Sequence, residues 1–95
     1  MSWLLSRRLA RTARRMRALR EELRQIDEQA ASLRDDAEDS ELRAIVSDLP
    51  GTSREALDSR RHADAMARHR ERVIGKIRSL EARQDALLDR MSSTR

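Results

Sequence analysis

Cysteine, phenylalanine and tyrosine are missing from this 95-residue chain, and tryptophan and proline occur once each, as Trp3 and Pro50. The lack of cysteine excludes a disulfide framework, a thiolate metal site and a cysteine nucleophile. The lack of aromatics removes the side chains that bury the most area in a compact core. With 38% hydrophobic and 40% charged residues, a spherical core is hard to assemble. Two classes tolerate that balance: disordered chains, and long helices with a narrow apolar stripe. Long apolar runs are missing too, and nothing approaches the roughly 20 consecutive apolar residues of a membrane-spanning helix. The run Trp3-Leu4-Leu5 is far shorter than a signal-peptide core, and its positive charges follow it instead of preceding it. The opening segment has no acid through Arg20 and contains serine, a composition shared with mitochondrial transit peptides. Its apolar periodicity runs on without a boundary, which favours a place in the folded chain. Twenty Arg against a single Lys (Lys76) fits the codon bias of a GC-rich genome as readily as guanidinium-specific recognition, and a bacterial cytoplasm is the expected location.

What the sequence does contain is a regular stripe. Leu5, Leu9, Thr12, Met16, Leu19, Leu23, Ile26, Ala30, Leu33 and Ala37 follow one another in steps of 4 and 3, and only Thr12 is polar. This is a coiled-coil seam, and disorder does not produce it. Leu49-Pro50-Gly51-Thr52 then breaks the pattern, because proline disfavours helix in the residue before it and glycine frees a turn. Thr52-Ser53-Arg54-Glu55 reads as a capping box, with the Thr hydroxyl and the Glu carboxylate satisfying orphan amides. Beyond it, Ala56, Ala63, Met66, Val73, Ile77, Leu80, Leu87 and Met91 collect on one face, with Arg70 and Gln84 as polar members of the same register.

The expected fold is therefore all-α: a single antiparallel helical-hairpin domain over residues 1–95. Helix one is expected over about 4–38, a short helix or continuation over about 40–48, a turn at 49–52 and helix two over about 53–92. Residue i then faces roughly residue 101 − i, and each arm is about 60 Å long. Leu42, Ile45, Val46 and Leu49 share a face turned about a quarter revolution from the main seam. A break or kink near Asp39-Ser40 is the favoured explanation, and continuation with a phase shift is the other.

Two helices cover only one side of each seam. Leu4, Ala13, Ala67, Ile74 and Leu88 widen the stripe beyond it. Burying a Leu or Ile is worth about 1.5–3 kcal/mol against about 1–2 kcal/mol of backbone entropy per ordered residue, so a lone hairpin is marginal. A second copy, giving a four-helix bundle, is the natural remedy. Charge agrees: residues 1–20 carry seven Arg and no acid, whereas residues 27–58 carry ten acids against three Arg. An antiparallel homodimer would set each acidic tip beside a basic base. The seam residues Leu5, Leu9, Met16, Leu19, Leu23, Ile26, Leu33, Met66, Val73, Ile77, Leu80, Leu87 and Met91 are the expected oligomer or partner seam, and Leu42, Ile45, Val46 and Leu49 a candidate tip contact.

Other features admit two readings each. Arg7, Arg8, Arg11, Arg14, Arg15, Arg17 and Arg20 form a candidate basic docking surface that would follow nucleic-acid phosphates, or else a solvated face pairing with another subunit's acids. Trp3-Leu4-Leu5 suits a bundle-end cap with Met91 better than insertion into an anionic membrane, because the arginines surround most of the helix. His62 and His69 lie seven residues apart, about 10 Å along a helix and too far to share one metal ion within a chain. Arg70, within the seam, either fixes register or extends along its stem to water. Gly75 marks a close approach, a bend or simple drift. The acids Asp35, Asp36, Glu38, Asp39, Glu41 and Asp48 match no calcium-loop spacing. Acidic-tipped hairpins also occur in factors entering the secondary channel of RNA polymerase, a likeness of shape alone.

No nucleophile, base and oxyanion donor are placed together, so no enzyme activity and no cofactor are expected. The expectation is a non-enzymatic coiled-coil interaction or scaffold protein that self-associates and binds a macromolecular partner. The alternative is a small basic regulator that docks on RNA, the ribosome or RNA polymerase through its arginine-rich base.

Overall fold

The computed structural model describes residues 2–93 and contains two long helices: α1 over Ser2–Val46 and α2 over Thr52–Ser93. They fold back as a hairpin, and no strand occurs among the described residues. Contacts group the chain into two compact units. One pairs Met1–Leu23 with Arg72–Arg95; the other is Arg24–Glu71 and includes the turn.

Each unit is held by the seam the heptads foretell. In the first, Leu5, Thr12, Met16 and Leu19 of α1 are buried together with Val73, Ile77 and Leu87 of α2. In the second, Ile26, Ala37 and Ser40 are buried with Ala56 and Ala63. Leu9, Leu23, Leu33, Met66, Leu80 and Met91 complete the seam as half-buried members. These side chains are buried or partly covered within one chain.

The expected separate helix at the tip does not form. Helix α1 continues without interruption through Asp39 and Ser40 to Val46. The physical reason is that the seam does not stop at Ala37. It proceeds in the same 3 and 4 steps through Ser40, Ala44 and Ser47, the most protected positions of that stretch. Ser40 is buried, and its hydroxyl lies 3.3 Å from that of Ser59 on α2. Asp39 and Arg43, one turn apart, are paired on the outside. The chain therefore keeps one register with small side chains, and the larger aliphatics Leu42, Ile45 and Val46 are left on other faces.

The ends of the turn are defined by hydrogen bonds. The Ser47 amide donates to the Arg43 carbonyl at 2.9 Å, and the Leu49 amide donates to the Ser47 hydroxyl at 3.1 Å. Gly51 takes a φ of 90°, a left-handed conformation that side chains disfavour. The expected capping box is not what starts α2. The Glu55 amide donates to the Gly51 carbonyl at 3.0 Å, and the Thr52 hydroxyl donates to the Leu49 carbonyl at 3.1 Å. Thr52 thus ties the helix it begins to the turn as a donor, not as the acceptor for an orphan amide.

Candidate interaction surfaces

Three surfaces emerge once the seam is accounted for. The first belongs to the unit that holds the turn. Leu42, Ile45, Val46 and Leu49 are 60%, 80%, 76% and 71% exposed, and Leu57 on α2 is also exposed. Leu42, Ile45 and Val46 stand on the last turns of α1, and Leu49 lies in the connection just beyond. Scattered surface leucines are ordinary, but neighbouring large aliphatics without cover mark an interaction surface. Acids border them: Glu38, Asp39, Glu41 and Asp48.

The same unit carries the cross-helix ion pairs. Arg60 donates through Nε and Nη2 to the two Glu41 carboxylate oxygens, at 3.0 and 2.7 Å. This pairing meets the register of residue i against 101 − i. The forked hydrogen bond holds the Glu41 carboxyl below its ordinary value, outweighing the desolvation that acts the other way. It also raises the Arg60 guanidinium. Arg70, the charged seam member, leaves the interface along its stem. Its Nε donates to Asp27 on α1 at 2.5 Å, and that bond raises its pKa, with Glu71 3.5 Å away as a minor contributor. Of the two readings of Arg70, its extension along the stem to water is the one seen, and its bond to Asp27 links the two helices. On another part of this unit Asp36, Asp39, Glu55 and Asp58 line a shallow depression with Arg43 and His62. His62 is exposed and His69 half-buried, both beside the seam. Among the described residues no group of three or more His, Asp or Glu side chains is placed to hold a metal ion.

The other unit presents the basic surface. Arg7, Arg8, Arg11, Arg14, Arg15, Arg17 and Arg20 are all exposed. Three of them, Arg8, Arg11 and Arg15, line two adjoining surface depressions with Arg72, Lys76 and Arg83 of α2, and Arg15 and Leu80 belong to both. The arginine density of the first twenty residues points to α1 alone and leaves the α2 members inconspicuous. Heptad position would have found them, because Lys76 and Arg83 flank the α2 seam as Arg8 and Arg15 flank that of α1.

The third surface is the apolar remainder of this unit. Trp3, Leu4 and Leu88 are 61%, 57% and 48% exposed. Trp3 is therefore not a buried end cap within the chain; the Arg7 guanidinium sits 5.1 Å from its ring centre, in a cation–π contact. Gly75 is no close-approach site either, since a methyl group there would meet nothing within 4 Å. No helix among the described residues is long and apolar enough to cross a membrane.

No protein-family model, curated protein or solved structure matches this chain. Its own geometry carries the functional reading.

Proposed function

We propose that this chain is a non-enzymatic coiled-coil interaction protein that self-associates as an antiparallel homodimer, a four-helix bundle, and offers its remaining surface to a further macromolecular partner. The observation that carries this reading is the uncovered aliphatic group Leu42, Ile45, Val46 and Leu49. The hairpin buries or half-buries its own seam, yet leaves these side chains in water, where each forgoes about 1.5–3 kcal/mol of burial. A second copy supplies what is needed to cover them. Trp3, Leu4 and Leu88 are also exposed; Trp3 and Leu4 precede Arg7 and Arg8, whereas Glu38, Asp39, Glu41 and Asp48 neighbour the tip aliphatics. By sequence, the unit holding both termini has a formal charge of +8 and the unit holding the turn −4. Exposed apolar side chains on two units of opposite net charge, both on one chain, favour pairing of tip with base.

Sedimentation equilibrium over a range of concentrations tests this. The expected mass is twice the chain's 11.0 kDa, falling towards that of a single chain in Ile45→Glu/Val46→Glu. A wild-type chain that stays monomeric and fully helical at micromolar dilution would remove self-association from the reading.

A further inference from the structure

We propose that the groove between the first part of α1 and the last part of α2 binds the sugar-phosphate backbone of double-stranded nucleic acid. It consists of two adjoining depressions that share Arg15 and Leu80, and six cations line them: Arg8, Arg11 and Arg15 from α1, and Arg72, Lys76 and Arg83 from α2. No acidic side chain lines it, and none of the six has an ion-pair partner among the described residues. The same chain pairs its cations elsewhere: Arg24 with Glu28, Arg43 with Asp39, Arg60 with Glu41 and Arg70 with Asp27. The fold thus leaves a like-charged cluster unneutralised, a cost that an outside polyanion offsets.

The dimensions suit a regular polyanion. At 1.5 Å per residue the α1 row from Arg8 to Arg15 runs about 10 Å, and the α2 row from Arg72 to Arg83 about 16 Å. A duplex carries a charge for about every 1.7 Å of its axis, so several phosphates fall opposite each row. The groove contains no aromatic ring, and Leu80, Thr12 and Ser79 lie between the cations. Without a stacking platform, single strands gain no base contacts there, and a duplex is engaged through its backbone alone. Binding is therefore indifferent to base sequence and steeply sensitive to salt. Ala replacements at these exposed helical positions keep the fold, because alanine is the best helix former.

The test is fluorescence anisotropy with mixed-sequence DNA and RNA duplexes of about 20 base pairs, from about 50 to 200 mM salt. Four or five phosphate contacts predict a log–log slope near about −4 and a loss of about two to three orders of magnitude in affinity over that range. Arg11→Ala/Arg83→Ala should reduce the slope by about two and weaken low-salt binding by about tenfold or more. Arg14→Ala/Arg17→Ala, equal in charge but outside the groove, should move both far less. Retention of duplex binding by the Ile45→Glu/Val46→Glu variant would show that the groove acts independently of self-association.

Several results would overturn the proposal. One is no duplex binding at the lowest salt; another is equal effects of the two double-alanine variants, which would make net charge the whole cause. Single strands bound as tightly as duplex would refute the backbone geometry. Binding to vesicles containing phosphatidylserine but not to duplex would assign the groove to a membrane surface. A fall in sedimenting mass on Arg11→Ala/Arg83→Ala, without duplex binding by wild type, would assign it to the acidic surface of a second copy.

Discussion

Glu41 is the residue whose protonation the fold controls most visibly. Its carboxylate accepts both arms of the Arg60 fork, which lowers its pKa in the folded chain. Between that depressed value and the ordinary carboxylate value the unfolded chain binds more protons than the folded one. Stability contributed by the pair is thus fully present above the ordinary value and lost as pH falls through the depressed one. Both side chains remain partly in water, so solvent screening keeps the effect small. We expect the melting temperature to decline on acidification in that window, with Arg60→Ala showing a shallower decline. A carboxyl NMR titration should place Glu41 below the ordinary glutamate value, and an ordinary Glu41 value would show that the fork does not persist in solution. Gly75 offers a second residue-scale prediction. It sits mid-helix with open space where a Cβ would stand, so Gly75→Ala should stabilise by about 1 kcal/mol, read as a rise of several degrees in melting temperature. Gly51→Ala should do the opposite despite equally open space, because its φ of 90° suits only glycine.

The two helices are long, but their seams are not uniform along their length. Around Leu5, Met16, Leu19, Val73, Ile77 and Leu87 the buried side chains are large. Around Ala37, Ser40, Ala56 and Ala63 they are small, and each contributes far less apolar burial than a leucine. Local opening free energies should follow. Amide hydrogen exchange is expected to be faster over 37–46 and 53–63 than over 12–20 and 73–87, with a binding partner at the tip reducing the difference. Uniform protection along both helices would mean that seam size does not set local stability. The same contrast explains what was legible beforehand. The leucine-rich halves of both seams and the turn at Pro50-Gly51 are readable because large apolar residues at 3 and 4 spacing form stripes on either side of a helix breaker, whereas the pairing of i with 101 − i holds for Glu41 and Arg60 and drifts to Asp27 and Arg70. The tip was misread because hydropathy follows the largest side chains. Leu42, Ile45 and Val46 drew the phase away from Ser40, Ala44 and Ser47, although a serine opposite a serine keeps the register at no polar cost. The Arg60–Glu41 fork needed the exact opposition of helices, and the α2 half of the basic groove needed both helices at once, so neither stood out along a single chain.

At the scale of the whole molecule, orientation is the property that charge should decide. The unit with the termini is strongly basic by sequence and the unit with the turn is acidic, so a parallel dimer would stack like charge on like. The proposed antiparallel one would bring Trp3 and Leu4, next to Arg7 and Arg8, towards Leu42, Ile45 and Val46, next to Glu38, Asp39 and Glu41. Surface attraction of this kind is screened over about 10 Å at 0.1 M salt and about 3 Å at 1 M, so high salt should weaken the dimer without melting its helices. The absence of cysteine gives clean labelling sites. With a donor on Ser6→Cys in one copy and an acceptor on Ser53→Cys in another, mixed dimers should show efficient energy transfer, and a Ser6→Cys/Ser6→Cys mixture little. The reverse pattern would mean that apolar packing has overridden charge and that the helices associate in parallel. Equal transfer in both mixtures would mean that the charge asymmetry does not select an orientation at all. Because each label sits on a separate chain, the measurement reads orientation between copies and is untouched by the fold of either one.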